Sequence, residues 1–163
     1  MTTNQYIIDT SSLIELNKHN PIDVFPTVWD KLRSFSKGGY LIAPTEVFSE
    51  VKEGDDELVS WSKQNMNLFQ PPTEKQIEIL KDILKKYPAS VKERRKYDAD
   101  AWVIALALER KVSNQKEISE RNRIVVTEER LDGEKIKIPL VCNKYGIDSI
   151  NIIKMFRIEG WKF

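Results

Sequence analysis

Asp9, Glu50, Asp100 and the pair Glu128-Glu129 are the residues whose types and settings could do chemistry. Asp9 ends the apolar run Tyr6-Ile7-Ile8 and is followed at once by Thr10, Ser11 and Ser12; Glu128 and Glu129 follow Ile124-Val125-Val126 and Thr127 in the same manner. Glu46 and Glu50 are four apart, which puts them on one face of a helix. Asp100 stands at the head of the apolar stretch Ala101 to Leu108. Carboxylates gathered in one crevice repel, and their protonation rises by whole pH units unless a cation joins them. An all-oxygen set of this kind suits Mg²⁺ or Mn²⁺. Such ions activate water and neutralise charge on phosphoryl oxygens, which is the chemistry of many nucleases. His19 is the only histidine, so histidine-rich zinc sites and Ser-His-Asp or Cys-His schemes drop out, and hydrolysis would have to run on carboxylates.

These acids converge only if the elements carrying them do. Three large apolar residues without alternation, as in Tyr6 to Ile8 and Ile124 to Val126, suit strands buried on both faces of a parallel sheet. Ligands bind at the carboxyl edge of such sheets. Tyr40 to Ala43 reads as a second strand, with Pro44 opening a helix from Thr45 to about Lys52 that carries Glu46 and Glu50. Helices are also expected at Ser12 to Leu16, Val24 to Phe35, Asp55 to Gln64 and Thr73 to Tyr87. The last of these should start on a capping box of Thr73 and Gln76. An apolar helix begins near Asp98, which is a natural cap, so Asp100 is not needed for that task. Asn67 to Gln70 and Ile136 to Ile138 are candidate short strands, Lys111 to Arg123 an exposed excursion, and Pro139 to Gly146 and Ser149 to Ile158 closing helices. The order is α/β: one domain over 1–163, with helices on both faces of a mainly parallel sheet of four to five strands, a three-layer α/β/α sandwich.

Each acid also has a bland alternative. Asp9 could cap the helix after it, Asp100 could answer a helix dipole, Glu46 and Glu50 could form a solvated helix face, and Glu128 and Glu129 could be loop acids.

The 163 residues hold 26 Lys and Arg against 25 Asp and Glu, so any basic surface has to be local. The densest one runs through Lys92, Arg94, Arg95 and Lys96, with Lys81, Lys85 and Lys86 before it. Cys142 is the only cysteine, which excludes an internal disulfide, and it reads as a small buried apolar residue. The first residues lack the pattern of a secretion signal, and no apolar run approaches the roughly 20 residues that span a bilayer. The expectation is a cytoplasmic chain with no membrane partner.

Taken in order, the motifs Tyr-Ile-Ile-Asp-Thr-Ser-Ser-Leu-Ile at Asp9, Ala-Pro-Thr-Glu-Val-Phe-Ser-Glu-Val at Glu50, Ala-Asp-Ala-Trp-Val-Ile-Ala-Leu-Ala at Asp100 and Val-Val-Thr-Glu-Glu at 125–129 resemble those of PIN domains. The likeness extends to VapC-type toxins and to a microbial PIN-like subgroup with an ending similar to Gly160-Trp161-Lys162-Phe163. It implies an Mg²⁺- or Mn²⁺-dependent endoribonuclease, the toxin of a toxin–antitoxin pair, with RNA as substrate, a cognate antitoxin that blocks the site, and a homodimer as a common state. Asp9, Glu50 and Asp100 fall on the three main acidic positions. The fourth is usually Asp and is Glu129 here. Thr10, Ser11 and Thr127 fall where donors orient the carboxylates, and Glu46 is the reserve ligand. Arg94, Arg95 and Lys96 are then the expected phosphate contacts. The alternative is a catalytically silent PIN-like scaffold that binds a partner protein through its acidic cleft. A phosphatase of the haloacid dehalogenase kind would want a second Asp two residues after the first, and Ser11 is there instead.

Overall fold

The computed structural model describes residues 3–87, 99–114, 121–130 and 138–163. Five strands form one sheet: β1 (Asn4–Ile8), β2 (Leu41–Pro44), β3 (Phe69–Gln70), β4 (Asn122–Val126) and β5 (Asp148–Ile150). All pair in parallel, in the order β3-β2-β1-β4-β5. Eight α-helices are described: α1 (Thr10–His19), α2 (Pro26–Lys37), α3 (Thr45–Val51), α4 (Asp56–Lys63), α5 (Glu74–Lys86), α6 (Asp100–Asn114), α7 (Ile138–Lys144) and α8 (Ile152–Glu159). From β1 the chain steps to β2 and then β3 on one side, and afterwards crosses back to β4 and β5. With right-handed crossovers this places α1 to α4 on one face and α5 to α7 on the other. The result is a three-layer α/β/α sandwich.

The reversal of direction falls between β1 and β4, the switch point where the crossovers diverge and a crevice opens at the carboxyl edge. The pair is in register, with Ile8 opposite Val126. Asp9 and Thr127, the next residue on each strand, therefore arrive side by side. β1 is apolar on both faces because helices cover both: Tyr6, Ile7 and Ile8 have no exposed surface. The core continues through Trp29 of α2, which meets Trp61 of α4 edge-on at 5.0 Å.

Several local expectations change. The first helix starts at Thr10 rather than Ser12 and runs three residues past Leu16. The second starts at Pro26, whose missing N–H suits the first helical turn, and this leaves Val24 and Phe25 exposed outside it. Met66–Leu68 is a 3₁₀ turn, and only Phe69 and Gln70 pair. Half of the capping box forms, with Gln76 N–H donating to Thr73 Oγ1 at 3.1 Å; the Gln76 amide goes to Glu109 Oε2 at 2.6 Å instead. The polar segment after Lys111 is helical to Asn114, and the strand takes in Asn122 and Arg123; 115–120 lie outside the described residues. Ile138 opens α7, while Ile136 and Lys137 are outside the described residues, and β5 occupies the start of the expected last helix. Asn151 explains that helix's later start: its side chain accepts from Lys154 N–H at 2.8 Å, so helix begins only after it.

α8 ends at Gly160, left-handed with φ 68°, and Trp161 N–H returns to Phe156 O at 2.9 Å. A Cβ at Gly160 meets nothing within 4 Å, so Gly160→Ala costs only the left-handed backbone, about 1–2 kcal/mol. A urea midpoint equal to that of the unsubstituted chain would contradict this.

Candidate active site at the carboxyl edge

Asp9 occupies the cap position of α1 with extended backbone, yet its side chain makes no capping hydrogen bond. Its carboxylate instead lies between a hydroxyl of the first helical turn and one at the neighbouring strand end. Oδ2 accepts from Ser11 Oγ at 2.7 Å and from Thr127 Oγ1 at 3.0 Å. Each hydroxyl in turn accepts a backbone N–H, Ser11 from Glu128 at 3.0 Å and Thr127 from Glu129 at 3.2 Å. Two amide-to-hydroxyl-to-carboxylate relays thus hold Asp9 in one orientation. Asp9 is 2 % exposed. Burial pushes its carboxyl above the usual aspartate range, while the two hydroxyls and the amides of Thr10 and Ser11 pull the other way.

Glu50 bridges the next two elements. Its Oε1 accepts from Thr10 Oγ1 at 3.2 Å and from Ala99 N–H at 3.0 Å. The second contact places Glu50 beside the residue that precedes Asp100, at the start of α6. Because α6 leads into the amino end of β4, its own amino end lies at the carboxyl edge of the sheet. The Glu50 carboxylate therefore meets the chain neighbours of both Asp9 and Asp100. Glu46, one turn earlier on α3, is half-buried; burial raises its carboxyl, and its Oε2 accepts weakly from Thr45 Oγ1 at 3.4 Å. Thr10, Ser11 and Thr127 each contact an acid.

Glu128 and Glu129 also act as helix starts. Glu129 Oε2 accepts from Ile138 N–H at 2.9 Å and Glu128 Oε1 from Ile152 N–H at 3.4 Å, the first residues of α7 and α8. Burial raises the Glu128 carboxyl, the Ile152 amide opposes this, and Glu15 and Asp9 add to it against Arg130. Among the described residues no group of three or more Asp, Glu, His or Cys is arranged to hold a metal ion. The donor chemistry, hard carboxylate and hydroxyl oxygens only, nonetheless suits Mg²⁺, which takes one or two carboxylates and keeps its other positions for water and phosphate.

A cleft of about 600 Å³ opens beside Ser11, Glu128 and Glu129 and is lined also by Glu15, His19 and Arg130; Asp9, Glu46, Glu50 and Asp100 are not among its lining residues. Glu15 and His19 face each other across one helical turn at 3.1 Å. Sequence reasoning passed over His19 and Arg130 as cleft residues; their only signal is position, one on the helix after Asp9 and one directly after Glu129. Asp98, Arg94, Arg95 and Lys96 lie outside the described residues.

Cys142 of α7 is fully buried, as expected of a small apolar residue, but it lies within the field of Asp9 and Glu129. Burial first, then those two carboxylates, push its thiol up to about 12. The folded state favours the thiol, so this stabilising contribution is complete below pH about 8.5 and fades as the pH climbs toward 12. Cys142 is expected to resist alkylation at pH 8 until urea unfolds the chain; rapid labelling of the folded protein would show that α7 opens.

A family described as a domain of unknown function, DUF4411, matches residues 6–163. No curated protein and no solved structure matches the chain.

Proposed function

The chain belongs to the DUF4411 family, and from its own carboxyl edge we propose that it is a divalent-metal-dependent endoribonuclease of PIN-like type, with RNA as substrate and an antitoxin-like protein as its control. One observation carries the reading: the buried Asp9 carboxylate is held not only by Ser11 of the helix it precedes but also by Thr127 at the end of the neighbouring strand, at the sheet's switch point. A carboxylate needed only for the helix would have no use for the Thr127 hydroxyl of another strand. Buried acids with raised protonation cluster at functional sites.

Asp9 and Asp100 would hold Mg²⁺ or Mn²⁺, with Glu50 and Glu129 placing it or its waters and Glu46 in reserve. When bound, the ion supplies charge neutralisation at the phosphoryl oxygens and a stronger nucleophile from water. The chain's own residues do the rest. Ser11 and Thr127 keep Asp9 from rotating, Thr10 and the Ala99 amide do the same for Glu50, and Arg130 puts positive charge in the cleft where phosphates would run. The test is hydrolysis of a labelled single-stranded RNA with and without Mg²⁺. Cleavage by the unsubstituted chain that is lost in Asp100→Asn and in EDTA supports the proposal; cleavage indifferent to both overturns it.

A second reading rests on the capping bonds of Glu128 and Glu129 and on the lack of a three-acid metal group among the described residues. It is the silent scaffold, in which the acidic cleft binds a basic partner. Calorimetric titration with Mn²⁺ separates the two, since a scaffold takes up no ion at Asp9 and Asp100.

A further inference from the structure

The exposed face of α8 carries cations and no acid. Ile152, Met155 and Phe156 are buried, while Ile153, Lys154, Arg157 and Ile158 are exposed. At 3.6 residues per turn the exposed four span an arc of about 140°, with Arg157 and Lys154 in its middle and an isoleucine at each side. Glu159, the only acid of the helix, is turned inward and accepts from Tyr6 Oη at 2.6 Å. Among the described residues no carboxylate pairs with Lys154 or Arg157, nor with Lys162 just beyond the helix, whereas Arg33, Lys75 and Lys86 are paired with Asp30, Glu78 and Asp82.

This row begins at the candidate site. Asn151, Ile152 and Ile153 line the same cleft as Ser11 and Arg130, so the exposed Arg130 stands at the head of α8. The helix then runs for eight residues, about 12 Å. At its far end Phe163 is 59 % exposed, its ring edge-on to Phe156 at 5.6 Å and to Trp161 at 6.3 Å. In a chain with 26 basic and 25 acidic residues, a run of unpaired cations leading out of an acid-lined cleft is a local field, and local fields attract polyanions. An acidic polypeptide matches the charge alone. A single strand of RNA matches the charge with its phosphates and the exposed ring with a base, the pairing by which strands are held without regard to sequence.

We propose that the RNA strand leaves the cleft along α8, its phosphates against Lys154, Arg157 and Lys162 and one base on Phe163. The proposal rests on the ribonuclease reading, which gives the strand its reason to enter the cleft, and it names the surface that holds the strand beyond the carboxylate edge.

Fluorescence anisotropy of a labelled single-stranded RNA dodecamer with the full chain in EDTA, across a range of KCl concentrations, reads binding apart from hydrolysis. The double variant Lys154→Ala/Arg157→Ala should bind more weakly, with the slope of log affinity against log salt shallower by about 1.4, from about 0.7 for each phosphate contact on a single strand. Phe163→Ala should lose about 5-fold or more in affinity with that slope unchanged, since stacking one base contributes about 5- to 150-fold. Both should keep the melting temperature, because the side chains removed are exposed. Lys81→Ala/Lys85→Ala, on α5 in the opposite layer, should bind as the unsubstituted chain does. An unchanged slope in the α8 double variant, an equal loss in the α5 variant, unchanged affinity in Phe163→Ala, or displacement of the RNA by polyglutamate at equal charge concentration would overturn the proposal. Binding that meets these expectations without hydrolysis in Mg²⁺ would keep the α8 surface and sink the ribonuclease reading; hydrolysis with the α8 slope unchanged would do the reverse.

Discussion

Asp9→Asn is expected to slow RNA hydrolysis by about 10²–10³-fold or more while leaving the fold at least as stable as before. The asparagine oxygen can still accept from Ser11 and Thr127, so both hydroxyls keep their partner and the strand ends stay together. The substitution removes only the charge. Burial raises the Asp9 carboxyl above its unfolded value, so its contribution to stability is full below about pH 3.9 and is lost as the pH rises through the folded value. With the carboxyl held above its ordinary range, its ionisation in the absence of metal works against the folded state. Asp9→Asn should therefore melt at the same or a higher temperature at pH 7 in EDTA, with the gain shrinking toward pH 4. A drop in melting temperature at pH 7 would mean that the charge serves the helix. Activity that survives the substitution would remove Asp9 from the proposed chemistry. The pairing of lost activity with kept stability is what a site held at the expense of stability shows.

The sheet edge that carries Asp9 and the Glu128-Glu129 pair could be read from the sequence, while the choice of Glu129 over Glu128 came from the resemblance to PIN domains. Each follows a run of unalternated apolar residues, which only a doubly covered parallel strand accommodates, and parallel strands deliver their next residues to one edge. The runs in β1 and β4 are long enough to read. β5 was misplaced because its three residues, Asp148 to Ile150, are half exposed on an edge and carry no apolar run. Pairing with β4 makes that strand, and pairing across the chain leaves no local trace. The helix-starting bonds of Glu128 and Glu129 were illegible for the same reason: their partners, Ile152 and Ile138, are 24 and 9 residues away. Glu50 was placed correctly on its helix by spacing, but its contact with Ala99 crosses 49 residues. An aromatic pocket at the amino edge is assembled from Asn4, Phe35, Tyr40 and Trp161, brought together by the left-handed turn at Gly160, and none of these residues has a pattern pointing to the others.

Trp29→Ala should have the largest effect on stability without touching either edge of the sheet. The indole is 1 % exposed, meets Trp61 edge-on at 5.0 Å, and donates from Nε1 to Asn20 O at 2.8 Å, tying the end of α1 to α2. Removing a buried aromatic side chain costs about 3–5 kcal/mol, from lost transfer energy and the void left behind. A domain of this size has about 5–15 kcal/mol in all. With a urea dependence of about 2 kcal/mol per molar, the midpoint should fall by about 1.5–2.5 M. Trp29→Phe divides the effect: it keeps most of the ring and loses the hydrogen bond, for about 1 kcal/mol from the bond together with a smaller packing loss. Trp61 should follow Trp29, since each fills the space beside the other, and the double substitution should cost less than the two single ones together. Full additivity would show that the two rings do not share a cavity. An unchanged midpoint in Trp29→Ala would show that α2 does not close this face of the sheet, and with it would go the packing that holds α1, and therefore Thr10 and Ser11, against the end of β1.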